Sequence, residues 1–135
     1  MFSVETRTVA GQVTAVGSAG PFTLVVDRPG DAGGGGLGFN GGQLLYLAIA
    51  GCVSNDLFRE AALRGIALDA VRVSVDGDFT GSPAVSTPVR YHVEISGDAD
   101  ADALRELVTH VDRIAEIPNS LRGGTPVALS GVTVS

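Results

Sequence analysis

Residues 43–64 read QLLYLAIAGCVSNDLFREAALR, and the fold turns on how that stretch is packed. Its first half carries Leu44, Leu45, Tyr46, Leu47, Ile49, Cys52 and Val53, which are apolar on every side of a helix. The helix becomes amphipathic only after Asn55 and Asp56. A helix that is apolar all round has to be buried. The pattern predicts a helix from about Gln43 to Arg64. Gly65 fits a left-handed stop, with Ile66 supplying the apolar contact that accompanies one.

Moving outward, the preceding segments read as strands. Phe2 to Val9, Gln12 to Val16 and Phe22 to Val26 are rich in Val, Thr and Phe, and turn residues at Ala10-Gly11 and from Gly17 to Pro21 separate them. Connections that short make an antiparallel meander. Between meander and helix, eight of the thirteen residues from Gly30 to Gly42 are glycine. Such a stretch is either a flexible loop or one whose backbone comes close to something. Beyond the helix, Val71, Val73 and Val75 alternate with polar residues, as do Val89, Tyr91, Val93 and Ile95. Period-two alternation means one buried and one wet face. Gly81-Ser82-Pro83 suits a hairpin-like loop. Leu104, Leu107, Val108, Val111, Ile114 and Ala115 form a helical stripe that Asp98 or Asp100 can cap and Pro118 should end. A short turn through Ser120 and Leu121 and a last strand over Val127 to Val134 complete the order. Strands, helix, strands, helix and strand read as an α+β fold, with antiparallel sheets packed on a long buried central helix and a second amphipathic one.

The bulk composition narrows function by exclusion. The chain has 135 residues, a net charge of −6, and nine scattered arginines with no lysine. One domain over residues 1–135 is expected. Phosphate backbones and anionic membranes bind clustered cations, so neither nucleic acid nor a membrane is an expected partner. A mean hydropathy of +0.30 on so short a chain favours an interface, and hence a homodimer. The N-terminus lacks the charged and apolar regions of a secretion signal. The longest apolar run, Leu44 to Ala50, is too short to span a bilayer. A reducing cytoplasm is the expected location. One cysteine cannot form an internal disulfide.

Few residues remain for chemistry. Gly36-Leu37-Gly38-Phe39-Asn40-Gly41 matches a G-x-G-x-x-G pattern, but the mechanism needs its first glycine at the turn leaving a strand, and about nine residues intervene after Val26. A nicotinamide or flavin site there is disfavoured, and no cofactor is expected. His92 and His110 have no cysteine or carboxylate partner at metal-ligand spacing and read as surface residues. The acids at Asp98, Asp100 and Asp102 suit a helix N-terminus. No G-x-S-x-G occurs for serine hydrolysis. Cys52 is left. A free cysteine is commonly a small buried hydrophobe. Its place some ten residues into the helix is also beyond the reach of the helix dipole, so an activated thiolate needs an arginine from elsewhere.

Asn40-Gly41-Gly42-Gln43-Leu44-Leu45-Tyr46-Leu47-Ala48-Ile49-Ala50-Gly51-Cys52 resembles the thiol-bearing helix of the OsmC/Ohr peroxide-resistance family, whose pattern runs roughly N-P-E-x-L-L-x-A-x-A-x-C. Arg64-Gly65-Ile66 followed by an alternating strand is similar to that family's helix stop and central hairpin. Ile117-Pro118-Asn119 stands where the family carries C-P-V. The resemblance implies an intertwined α+β homodimer. It also implies a cysteine that attacks peroxide, poised by an arginine and a glutamate and resolved by a second cysteine. By that resemblance Cys52 is the attacking thiol and Arg28 the candidate activating arginine, with an offset of about two residues. Gly42 stands at the glutamate position with Gln43 beside it, and Ile117 at that of the resolving cysteine. Two functions follow. One is a one-cysteine thiol peroxidase acting through Cys52, with Arg28 and Gln43, on a small organic hydroperoxide. The other is a non-catalytic protein binding a small apolar or thiol-containing ligand in a dimer-interface pocket lined by Phe39, Leu45, Tyr46 and Phe58.

Overall fold

The long helix forms where its sequence places it. In the computed structural model, which describes residues 1–135, helix α1 spans Gly41–Leu63. Asn40 and Gln43 close its N-terminus reciprocally. The Gln43 N–H donates to Asn40 Oδ1 and the Asn40 N–H donates to Gln43 Oε1, each at 2.9 Å. This is a capping box, two helix-end donors satisfied by each other's side chains. At the other end Gly65 sits at φ 66. The Ile66 N–H reaches back to the Ala61 carbonyl at 2.9 Å and the Gly65 N–H to that of Ala62 at 3.1 Å. That is the Schellman pattern expected of Gly65-Ile66, and Ile66 packs on the core as expected.

The residues form two compact units. The first comprises Met1–Leu47 and Phe79–Thr87. It holds a meander of β1 (Glu5–Thr8), β2 (Ala15–Ala19) and β3 (Phe22–Val26), all antiparallel. The second strand begins three residues later than the sequence suggests. Val9 and Gln12 spend their N–H groups on Thr14 and Val9 carbonyls, extending the turn. Gly20 and Pro21 join β2 to β3, with Ala19 opposite Phe22 and Gly20 at φ 57. Positive φ at the first central residue fits a II′ hairpin turn, whose twist matches the strands. A small hairpin, β5 (Phe79–Thr80) with β6 (Val85–Ser86), belongs to the same unit.

The second unit comprises Ala48–Asp78 and Pro88–Ser135. Strands β4 (Leu68–Asp76) and β7 (Arg90–Gly97) pair antiparallel, with Val71 opposite Ile95, Val73 opposite Val93 and Val75 opposite Tyr91. Of that apolar face, Val71, Val73, Tyr91, Val93 and Ile95 pack on the core of Val53, Leu57 and Ala61 of α1 with Leu107 and Val111 of α2 (Ala101–Ile114). The other face carries Arg72 opposite Glu94. Asp100 is the N-cap of α2, its carboxylate accepting from the Ala103 N–H at 2.8 Å.

Two expectations fail here. Pro118 does not end a helix; it lies in the first turn of α3 (Glu116–Arg122). The missing proline N–H costs nothing there, because first-turn N–H groups have no helical partner. The C-terminal segment, residues 125–135, forms no strand. Its alternating Val127, Leu129, Val132 and Val134 are all exposed. A strand needs a partner edge as well as a pattern, and this chain provides none to that segment. The apolar surface of α1 is likewise only partly covered. Ile49, Val53 and Leu57 are buried, while Leu47, Phe58 and Leu63 are 48%, 49% and 76% exposed.

Candidate functional site

The glycine-rich stretch is tied down, not loose. Asp27, at the end of β3, is buried. Its carboxylate accepts from the Thr14 hydroxyl at 2.9 Å and from the N–H groups of Arg28, Gly35 and Leu37 at 2.8–3.2 Å. The Gly35 N–H foremost, then those of Arg28 and Leu37 with the Thr14 hydroxyl, outweigh the cost of burial and hold this carboxyl below its ordinary range. The loop then returns along β3, with the Asp27 N–H on the Phe39 carbonyl and the Phe39 N–H on that of Val25. A Cβ on Gly34 would lie 2.1 Å from the Arg28 carbonyl oxygen, and one on Gly38 2.2 Å from that of Val25. Of the two readings left open for this stretch, close backbone approach is the one realised.

Arg28 leaves this knot exposed. With Asp27, Pro29, Val13, Val26 and the backbone of Asn40 to Gly42, it lines an open cavity of about 650 Å³ within the first unit. Gln43 is one residue further along α1, exposed, with its Oε1 engaged in the cap. Tyr46 stacks on Phe79 with ring centroids 5.7 Å apart, and its hydroxyl lies 2.9 Å from Ser86 Oγ. A Cβ on Gly42 would stand 2.7 Å from the Phe79 ring edge.

Cys52 lies in the second unit. It is half-buried on α1 and packs against the Val53, Leu57, Leu107 and Val111 core. One turn later the helix carries a polar cluster. Arg59 pairs with Asp56 at 2.8 Å and with Glu60 at 3.2 Å, and Arg64 pairs with Glu60 at 3.1 Å. His110 of α2 reaches Glu60 Oε2 at 3.1 Å, so it is a buried-side partner of α1 and not the plain surface residue expected. Burial pushes the Glu60 carboxyl up, but hydrogen bonds from Arg64 and Arg59 outweigh it and the net shift is downward. Asp56 is buried, and its Oδ2 has no hydrogen-bond partner.

The sequence model of the OsmC-like protein family matches residues 33–130, most of the chain. The chain belongs to the OsmC-like family. No curated protein matches it. Among solved structures it is similar to an OsmC-like protein from Mycoplasma pneumoniae, at 17% identity and a TM-score of 0.78, over 91% of this chain and 88% of that one. It is similar to an organic hydroperoxide resistance protein OsmC from Legionella pneumophila, at 20% identity and a TM-score of 0.66, over 91% and 90%. A third is an organic hydroperoxide resistance protein from Elizabethkingia anophelis, at 15% identity and a TM-score of 0.69, over 91% and 89%. Identities this low establish the shared α+β fold.

Membership in the OsmC-like family gives the geometry at Gly42 a meaning. Where the resemblance places a glutamate, a Cβ would stand 2.7 Å from the Phe79 ring, so a side chain fits there only if that ring shifts. Three features escaped sequence reasoning. Asn40 and Gln43 at capping-box spacing were a legible signal. The Asp27 knot and the unpartnered Asp56 oxygen depend on residues brought together by folding and left no local signature.

Proposed function

We propose that this chain is a thiol-dependent reductase of small organic hydroperoxides, of one-cysteine type, acting through Cys52. The observation that carries the reading is a lone cysteine, half-buried on the central helix of an OsmC-like fold. Sulfur attacks one peroxide oxygen, an S–O bond forms, the O–O bond breaks, and the alkoxide leaves as an alcohol with the thiol's proton. Cys52 becomes a sulfenic acid. With no second cysteine in the chain, one external thiol displaces water to give a mixed disulfide, and a second releases Cys52 as the thiol. Arg28 is the arginine proposed to favour the thiolate, and Gln43 the group beside the vacant glutamate position. We read residues 1–135 as one OsmC-like domain, since α1 contributes to both compact units. The exposed apolar residues of α1 support a homodimer. No helix is long and apolar enough to cross a membrane, and a cytoplasmic location fits a thiol kept reduced.

The test is a single turnover. Reduced protein mixed with an equivalent of cumene hydroperoxide in the presence of dimedone should acquire the sulfenic-acid adduct at Cys52, read by peptide mass spectrometry. A thiol left unmodified sinks the proposal. One observation favours a second reading, a small-ligand-binding protein without catalysis: the Gln43 side-chain oxygen is spent on the helix cap. That reading predicts thermal stabilisation by an apolar or thiol ligand that survives Cys52→Ser.

A further inference from the structure

The cluster next to Cys52 contains an acceptor with nothing to accept. The Asp56 side chain is only 9% exposed; its Oδ1 is held by Arg59 at 2.8 Å, while Oδ2 has no partner. Buried carboxylate oxygens are almost always hydrogen-bonded, so a vacant one asks for a donor absent from the resting state. Asp56 follows Cys52 by four residues on α1, which puts both side chains on one face, about 6 Å apart along the axis. Helical side chains lean toward the N-terminus, so the Asp56 carboxylate inclines over the turn that carries Cys52. The Arg59 contact fixes one oxygen and leaves the other free. The neighbouring Glu60 cannot take the same part, because its oxygens are engaged by Arg59, Arg64 and His110.

We propose that Asp56 is a positioning residue for oxidised Cys52: its unpartnered Oδ2 accepts the hydrogen bond of the sulfenic hydroxyl that Cys52 gains from a hydroperoxide. The inference rests on the peroxidase reading above and deepens it. A reduced thiol is at best a weak donor, whereas S–OH extends the side chain by one oxygen and presents a strong one. The bond keeps the proton on the sulfenic oxygen, and the sulfur of a neutral S–OH is a poorer nucleophile toward a second hydroperoxide than that of a sulfenate. The bond therefore slows a second oxygen transfer, which would give the sulfinic acid, without blocking an external thiol at sulfur. In a chain with no resolving cysteine, that protection has to come from elsewhere in the fold.

The experiment compares wild type, Asp56→Asn and Asp56→Leu, all full-length. Each is oxidised with cumene hydroperoxide, and the sulfenic and sulfinic forms of Cys52 are followed by intact mass and dimedone trapping. Asp56→Leu should convert sulfenic to sulfinic acid about tenfold faster than wild type, the size expected from losing a hydrogen bond to a charged group. Asp56→Asn keeps an acceptor oxygen and should stay within about threefold of wild type. Thermal unfolding of each variant separates this effect from loss of the fold, and Asp56→Ala carries the same comparison if the leucine variant does not fold. Equal conversion rates in all variants, with Cys52 still oxidised, would overturn the role of Asp56 and leave the peroxidase reading standing. Equal rates together with loss of a dimer in Asp56→Leu would assign Oδ2 to a subunit interface and equally overturn it. No oxidation of Cys52 in any variant would overturn both.

Discussion

Tyr91 fastens three elements, and removing its hydroxyl should change stability in a pH-dependent way. The Tyr91 hydroxyl of β7 donates to Asp112 Oδ1 on α2. Arg122 of α3 holds the same carboxylate at 2.6 Å and the Asp112 carbonyl at 2.8 Å. Tyr91→Phe removes the donor but leaves Asp112 paired with Arg122, so no charge is stranded. At pH 7 the loss is one hydrogen bond to a charged group, about 1.5 kcal/mol, or roughly 5 °C in Tm for a domain of this size. Burial first, then the Asp112 carboxylate, pushes the Tyr91 phenol up from 10.0 to about 12. A raised folded-state value means the contribution is whole below pH 10 and is lost as pH rises toward 12. The unfolded chain releases its proton there while the folded one holds it. Between pH 10 and 12 wild type should therefore lose stability relative to the variant, by at most about 1.4 kcal/mol per pH unit and by less where solvent screens the pair. The chain has no tryptophan, so urea unfolding followed by far-ultraviolet circular dichroism at pH 7, 9, 10 and 11 is the assay. The two proteins should differ by about 1.5 kcal/mol at pH 7 to 9, and the difference should narrow by pH 11. Parallel curves across that range, or no difference at pH 7, would refute the latch.

Three further outcomes follow from the first unit. Gly34→Ala should destabilise by about 2 kcal/mol or more in chemical denaturation, because its Cβ meets rigid backbone at 2.1 Å, whereas Gly30→Ala, with open space around it, should be neutral or slightly stabilising. Gln43→Ala should lower stability by about 0.5 kcal/mol, because it removes the Gln43 half of the capping box and leaves the Asn40 half, while Gln43→Glu keeps both, as thermal melts of the two will show. Asp27 titrates below its ordinary value of 3.8. Its contribution is therefore present above about pH 4 and lost as pH falls through the lowered folded value. Protection of the Gly35 and Leu37 amides in hydrogen exchange should drop in that window, well before Asp27→Asn shows any such step.

From Gly41 onward the chain was the more legible from sequence. Helix α1, its Gly65 stop, the alternation of β4 and β7 and the Asp100 cap all depend on residues within one or two turns of each other. Cys52 stood out because it is the only thiol. What stayed hidden depends on distance in sequence. Asp27 gathers donors from Thr14 to Leu37, Phe79 fills the space beside Gly42, and His110 meets Glu60 from fifty residues away. The C-terminal segment reads as a strand because its pattern is local, but pairing is not, and within this chain it remains exposed. Pro118 misled for a related reason: a proline that breaks a helix interior is welcome in the first turn of the next one.

The central claim is that Cys52 reduces hydroperoxides catalytically, and steady-state turnover tests it most directly. Wild type and Cys52→Ser are each mixed with excess cumene hydroperoxide and a small-molecule thiol, and peroxide loss is followed with time. The account predicts multiple turnovers per wild-type subunit and only the uncatalysed background for Cys52→Ser. Equal rates of peroxide loss for the two proteins would contradict it.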